Sequence, residues 1–163
     1  MAIDKIQSES INLADNFAFT GTVTGAGTSS PSFLATRNSN QSISANTTTK
    51  IQYDDESFDT DNTYDNSTNY RWTPGVAGKY VIGASAGVDT QSDHNHLSVE
   101  IRKNGTAIAY VIDANQHLGV RNMTIIDDAN TTDYYEVFLR QDNGTENTTV
   151  SAAIMYFWGY KLA

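Results

Sequence analysis

The chain has 163 residues, and 19 acidic against 10 basic side chains give it a formal net charge of −9 at pH 7. An acidic surface repels phosphate backbones and anionic lipid headgroups, so nucleic-acid binding and membrane insertion are not expected. The chain contains no cysteine, which excludes disulfide bonds and thiolate metal ligands. No apolar leader and no membrane-spanning apolar run is visible, so we expect synthesis in a cytoplasm without a cleaved signal peptide.

The first 30 residues differ from the rest of the chain. In the stretch NFAFTGTV, Phe17, Phe19 and Val23 fall on one face of a predicted strand. One short strand cannot bury such a face alone, so we expect these residues to anchor the segment on another surface. A glycine- and serine-rich linker follows. We therefore divide the chain into a docking segment with its linker, residues 1–30, and a domain of residues 31–163.

From residue 32 onward, short runs rich in β-branched and aromatic residues alternate with turns, and helical periodicity is missing. This pattern predicts an all-β fold, an antiparallel sandwich of two sheets. The best local signal is LSVEIRKNGTAIAYVI, in which Asn104 and Gly105 predict a two-residue hairpin turn. That loop length pairs Ile101 with Ile108, and we expect both strands to bury one shared apolar stripe.

A second hairpin is predicted at the other Asn-Gly pair, Asn143 and Gly144, and it leads into the last strand. In that strand Tyr156, Trp158 and Tyr160 share one face with other apolar residues, and Met155 and Phe157 lie on the opposite face. Because one face of an antiparallel sheet is usually in water, a strand that is apolar on both faces indicates a central position in its sheet and contact of one face with another subunit. We take Met155 and Phe157 as candidate interface residues.

The stretch NTYDNSTNYRWTPGVAGKYVIGASA carries the clearest resemblance to a known family. Its pattern of Asn, Tyr-Asp, an aromatic-Thr pair and then Pro, Gly and Tyr resembles the signature of complement globular-head domains, within the tumour-necrosis-factor-like jelly-roll superfamily. The spacing from Pro to Gly has one more residue than that signature. The hairpin turn and the closing FWGYKLA match the family in the same order. The residues that carry the resemblance are Tyr64, Trp72, Pro74, Gly78, Tyr80, Gly105, Phe157 and Gly159.

This resemblance covers residues 31–163 and implies a jelly-roll sandwich that assembles as a compact homotrimer. The N-terminal segment MAIDKIQSESINLADNFAFTGTVTGAG resembles segments of marine bacteriophage virion proteins, often tail-fibre-like. That second resemblance implies a virion location, with other virion proteins as partners of the segment. A glycan or protein of the host surface is a further candidate partner.

One cluster has metal-ligating side chains. Asp93, His94 and His96 lie in the stretch TQSDHNH, and an H-x-H pair on a strand directs both imidazoles to one face. The alternative is a polar loop at a sheet end, in which case no ion binds. We expect no cofactor, and a structural divalent cation remains the alternative. No nucleophile, zinc-protease or phosphate-loop motif is present, so we expect no enzyme activity.

These observations favour a non-enzymatic virion protein, namely a trimeric fibre or fibre-tip head that contacts the host surface. A capsid decoration or cement protein with the same fold is the alternative. A soluble carbohydrate-binding or ligand-type module is a further alternative.

Overall fold

The computed structural model of the chain describes residues 30–89, 94–113, 119–149, 151 and 153–162. The predicted anchor residues Phe17, Phe19 and Val23 lie outside these ranges. The described residues form thirteen β-strands and no helix, in agreement with the predicted all-β class. Among the described residues, no helix is long and apolar enough to cross a membrane.

The strands are β1 (Ser32–Thr36), β2 (Ser42–Ser44), β3 (Thr49–Lys50), β4 (Asp55–Asp59), β5 (Tyr64–Asp65), β6 (Arg71–Trp72), β7 (Gly78–Val88), β8 (Leu97–Lys103), β9 (Thr106–Asp113), β10 (Gly119–Ala129), β11 (Tyr135–Gln141), β12 (Thr145–Asn147) and β13 (Tyr156–Lys161).

Two antiparallel sheets enclose the core. The first sheet has the strand order β10-β7-β13-β1-β4, which places the last strand in its centre. The second has the order β5-β6-β11-β8-β9, and β3 pairs with β11 off this path. A small third sheet joins β12 to β2. Buried residues of both sheets, such as Phe33 of the first and Val99 of the second, belong to one hydrophobic core, so the predicted sandwich of two antiparallel sheets is confirmed.

The core is unusually aromatic at one end. Phe33 lies at its centre, and its ring centroid is 4.7 Å from that of Trp72 and 4.9 Å from those of Tyr64 and Phe157. Trp72 also meets Tyr80 edge-on at 5.2 Å. All five side chains are at most 5 % exposed. Edge-to-face and offset contacts at these distances are the favoured geometries of aromatic pairs.

The stretch WTPGVAGKY forms the passage from one sheet to the other. Strand β6 ends at Trp72, Pro74 follows in a buried position, and β7 begins at Gly78. Proline cannot donate to a strand ladder, which explains why the strand ends before it. Gly75 and Gly78 have φ values of 73° and 148°, a region that favours glycine. The Tyr80 side chain then enters the core, and its hydroxyl donates to the Val76 carbonyl at 2.6 Å.

The hairpin at Asn104 forms, but its predicted register is wrong. A β-bulge follows Ile101, so Ile101 pairs with Ala109 and Val99 pairs with Val111. The bulge turns Ile108 and its alternate neighbours outward, away from the core. A bulge places one extra residue on one strand and thereby changes which side chains face inward.

The prediction for the second Asn-Gly pair is also wrong. The chain does turn at Asn143 and Gly144, but the strand that follows, β12, pairs with β2 and not with β11. The last strand is shorter than expected, because β13 begins only at Tyr156. It pairs with β1 on one side and β7 on the other, and so its predicted central position is correct.

Candidate interaction surface

One outward sheet face of this acidic chain is lined by apolar side chains. The residues on it alternate with core residues along the first sheet: Tyr156, Trp158 and Tyr160 of β13 point away from the buried Phe157. We call this surface the apolar face and define it by Leu34, Phe58, Val81, Ile126, Tyr156, Trp158 and Tyr160. Strand pairing aligns these residues in rows across the sheet.

The centre of the apolar face is built by Trp158. This residue pairs with Leu34 on β1 and with Gly83 on β7. Its indole lies flat over Gly83, since a Cβ on residue 83 would come within 2.2 Å of Trp158 Cε2. The Tyr160 ring stacks beside the indole, with ring centroids 5.9 Å apart and planes 13° apart. The glycine therefore makes room for an ordered aromatic pair on the outside of the sheet.

Beside this pair runs a groove of about 690 Å³, lined by Ser32, Phe33, Leu34, Phe58, Tyr156, Trp158, Gly159 and Tyr160. The larger side chains of the apolar face remain accessible: Phe58 is 49 % exposed, Ile126 67 % and Tyr160 38 %. Scattered exposed apolar residues are normal, but several in adjoining rows form a patch of the kind that marks an interaction site.

Carboxylates border the β4 side of the apolar face. The pKa of Glu56 is raised, first by partial burial and then by repulsion from the neighbouring Asp59. Asp59 itself accepts hydrogen bonds from the backbone N–H groups of Asp61, Thr63 and Tyr64. The Asp59 carboxylate is therefore used to hold its own loop.

A second apolar surface lies on β9, the edge strand of the other sheet. The bulge after Ile101 directs Ile108, Tyr110 and Ile112 outward, and Tyr110 is 69 % exposed. We call these three residues the edge stripe. The described residues thus carry two separate apolar surfaces, one on a sheet face and one on a sandwich edge.

The predicted interface residues need a correction. Met155 and Phe157 are both fully buried inside a single chain, where Met155 accepts a hydrogen bond from the Gly87 N–H on its sulfur at 3.2 Å. A neighbouring subunit cannot reach them. The physical reason is the pleat: the same strand offers its other face, and only the even-numbered aromatic residues from Tyr156 to Tyr160 point outward.

Sequence reasoning missed Leu34, Phe58 and Ile126 as parts of this surface. Phe58 has a usable signal, because it is the one large apolar residue in the acidic stretch DDESFDTD. Ile126 follows Ile125 directly, and two adjacent isoleucines in a strand must face opposite sides. Leu34 carries the same signal as Ile126, since it directly follows the apolar Phe33 in a strand and the two side chains must face opposite sides.

The metal site predicted at Asp93, His94 and His96 stays a prediction, because one of its three residues is outside the described part of the chain. Asp93 lies outside it, and no group of three His, Cys, Asp or Glu side chains in the described residues is placed to hold an ion. His96 Nε2 lies 3.0 Å from Ser98 Oγ, and burial lowers the pKa of His96. His94 is only 1 % exposed; its two ring nitrogens have no hydrogen-bond partner among the described residues, and its Nδ1 is 3.9 Å from Asp142 Oδ1.

A polar network joins two turns at one end of the sandwich. Lys103 Nζ lies 2.8 Å from Asp127 Oδ2 and 3.1 Å from Asp133 Oδ2. Asp133 also accepts hydrogen bonds from the Asn130 N–H and the Asn104 side-chain amide, and the pKa of Asp133 falls to about 2. The Tyr135 hydroxyl donates to Asp127 at 2.6 Å. Every charged group of this network has a partner within it, so we assign the network a structural role.

The fold is that of known jelly-roll domains. Murine APRIL superposes with a TM-score of 0.64 at 9 % identity, covering 81 % of this chain and 98 % of its own. The globular domain of zebrafish complement 1qA gives a TM-score of 0.59 at 13 % identity, with 82 % and 98 % coverage. These matches confirm the jelly-roll fold that the resemblance implied.

A viral protein has the same architecture. The PRD1 vertex protein P5 superposes with a TM-score of 0.60 at 11 % identity, and the match covers 84 % of this chain and all of the P5 chain. Sequence comparison finds no family model and no curated protein that matches the chain. The identities to all three solved structures are low, so the shared property is the fold.

Proposed function

We propose that this chain is a non-enzymatic structural protein of a bacteriophage virion, in which three copies form a compact head at a fibre or fibre tip that contacts the host surface. The observation that carries the proposal is the apolar face, an aromatic surface that a single chain leaves open. Obligate subunit interfaces resemble a core cut in half, and this face has that character.

The two apolar surfaces support a closed ring. A ring of three is built from one contact repeated around an axis, so each chain must supply two different, complementary patches. The apolar face on the first sheet and the edge stripe on β9 are two such patches. In the proposed trimer, each chain turns its apolar face toward the axis, and the edge stripe of the neighbour helps to cover it.

Support for the virion comes from two sides. The N-terminal segment resembles those of phage virion proteins, and one solved neighbour of this fold is a phage vertex protein. In the proposal, residues 1–30 attach the head to another virion protein through Phe17, Phe19 and Val23. The complete chain with both Phe17→Ser and Phe19→Ser should still fold and assemble but should be lost from purified virions.

A second candidate, a decoration protein at the capsid surface or its vertices, is favoured by the likeness to P5. Antibody labelling of intact virions in the electron microscope separates the two. Label at the tips of fibres supports the first proposal, and label confined to the capsid contradicts it and supports the second. Absence of label from virions that carry the gene would contradict both and favour a soluble ligand-type module.

A further inference from the structure

The two Asn-Gly pairs of the chain are held in opposite ways. Asn-Gly is the dipeptide most open to attack by a backbone nitrogen on the preceding side-chain amide, because glycine has no side chain to hinder the approach. Both pairs, Asn104-Gly105 and Asn143-Gly144, lie at exposed or half-exposed turns. Their side-chain contacts, however, differ.

Asn104 is fixed at both atoms of its amide. Its Nδ2 donates to Asp133 Oδ1 at 2.7 Å, and its Oδ1 accepts from the Tyr134 N–H at 3.1 Å. Both partners belong to the neighbouring turn between β10 and β11. The carbonyl carbon of this amide is thereby held toward another segment, and nucleophilic attack on it requires that both hydrogen bonds break.

Asn143 has no such restraint. Its backbone N–H donates to Gln141 Oε1, but its side-chain amide has no hydrogen-bond partner among the described residues. Gly144 is exposed, has a φ of 59°, and a Cβ built on it would meet no atom within 4 Å. The Gly144 backbone is therefore open to water, and no hydrogen bond among the described residues holds the Asn143 amide away from it.

We propose that Asn143 is a selective deamidation site of the folded protein. The Gly144 backbone nitrogen gives its proton to water or hydroxide and bonds to Cγ of Asn143. The Cγ–Nδ2 bond breaks, and ammonia leaves, so a five-membered imide remains. Water opens the imide at either carbonyl and yields aspartate or isoaspartate at position 143. The net change is one water consumed and one ammonia released, with no oxidant or cofactor.

Deamidation at position 143 would alter the contact between Gln141 of β11 and the small sheet of β2 and β12. Gln141, which is fully buried, donates from Nε2 to the Ile43 carbonyl at 2.8 Å and to the Gly144 carbonyl at 3.0 Å. Isoaspartate adds one carbon to the backbone between residues 143 and 144, and this displaces the Gly144 carbonyl from Gln141. The new carboxylate also lies next to Asp142. The pairing of β2 with β12 is thus the part of the fold that deamidation loosens.

The test is incubation of the complete folded chain at mildly alkaline pH, followed by peptide mapping by mass spectrometry. Asn143 should react at least about tenfold faster than Asn104. The need to break a hydrogen bond before the reaction lowers the rate at Asn104 by about that factor. In the denatured chain, the two pairs should react at similar rates. Equal rates in the folded chain, or faster reaction at Asn104, would overturn the proposal.

A variant tests the cause of the selectivity. Asp133→Ala removes the acceptor for Asn104 Nδ2 and should raise the rate at Asn104 while the rate at Asn143 stays unchanged. Circular dichroism shows whether this variant is folded, and the comparison within the wild-type chain stands without it. Asn143→Gln should abolish the fast product, and persistence of that product would contradict the assignment to Asn143.

Discussion

The indole of Trp72 lies directly against the backbone of Gly159: a Cβ on residue 159 would come within 2.4 Å of Trp72 Cζ3. The two residues belong to different sheets, β6 and β13, so the contact spans the core. Trp72 is fully buried, and its ring also touches Phe33 and Tyr80. The glycine in the closing FWGYKLA is therefore a packing requirement set by the tryptophan of WTPGVAGKY.

Gly159→Ala should destabilise the fold by about 1–3 kcal/mol, the usual cost of overpacking a core, because the indole has no space to move into. Urea unfolding measures the difference. Thr124→Ala, on the exposed side of β10, is the matched control and should change stability by less than about 0.5 kcal/mol. If Gly159→Ala were as mild as that control, the contact would not be as tight as described.

Replacement of the buried His94 should not destabilise the fold, in contrast to Gly159→Ala. His94 is buried, and ring nitrogens without a hydrogen bond to any described residue cost free energy, so His94→Leu should be neutral or stabilise the fold by up to about 1 kcal/mol. Gln141 is the matched comparison, because it is equally buried but its amide is fully bonded. Gln141→Leu should cost about 2–4 kcal/mol.

Thermal and urea unfolding of both variants decide the point. A loss of more than about 2 kcal/mol for His94→Leu would mean that the imidazole has a partner, such as a bound ion. In that case, unfolding of the wild-type chain should also depend on chelator.

The Asp133 carboxylate accounts for part of the folding stability that we expect the protein to lose at acid pH. The Asn130 N–H first, and then the Asn104 amide and Lys103, lower the pKa of Asp133 to about 2, against about 3.9 in an unfolded chain. A carboxyl with a depressed folded pKa stabilises the fold above its unfolded value, and this contribution is lost as pH falls through the folded value. The loss therefore falls between about pH 4 and about pH 2.

Asp133→Asn keeps an oxygen acceptor and removes the charge. It should lower the stability at pH 7 by about 1–2 kcal/mol and make the decline below pH 4 less steep than in the wild-type chain. Urea unfolding over this pH range gives both quantities. Parallel pH profiles for the two chains would contradict the role assigned to this carboxylate.

The large features of the fold were predictable from local chemistry. The turn at Asn104-Gly105 and the strand end before Pro74 each follow from the properties of one or two residues, and the central position of the last strand follows from apolar residues on both of its faces. The register of β9 was not predictable in this way. Both faces of TAIAYVID are apolar, so alternation does not say whether Ile108 or Ala109 faces inward, and the bulge that pairs Ile101 with Ala109 is not visible in that pattern.

The candidate surface was predictable in part. The sequence indicates that β13 is apolar on both faces, but not which face meets the core. The choice is made by Trp72, which needs a glycine opposite it and thereby turns Gly159 and Phe157 inward. Trp158 and Tyr160 must then face outward. This dependence on a residue 87 positions away is what a local pattern cannot contain.

In the proposed assembly, the apolar face and the edge stripe join three copies of the chain. Tyr160→Glu places a charge in the first surface and Tyr110→Glu in the second, and neither residue belongs to the buried core. Both variants should stay folded and become monomers, because a buried unpaired charge is costly at an interface. Thr132→Glu, in the exposed turn before β11, should leave the assembly intact.

The most direct measurement is the native mass of the complete wild-type chain, by light scattering or native mass spectrometry, beside these three variants. We expect a mass of three subunits for the wild-type chain and for Thr132→Glu, and of one subunit for Tyr160→Glu and Tyr110→Glu. A wild-type chain that remains a stable monomer, or a trimer that both glutamate variants leave unchanged, would contradict the proposed assembly.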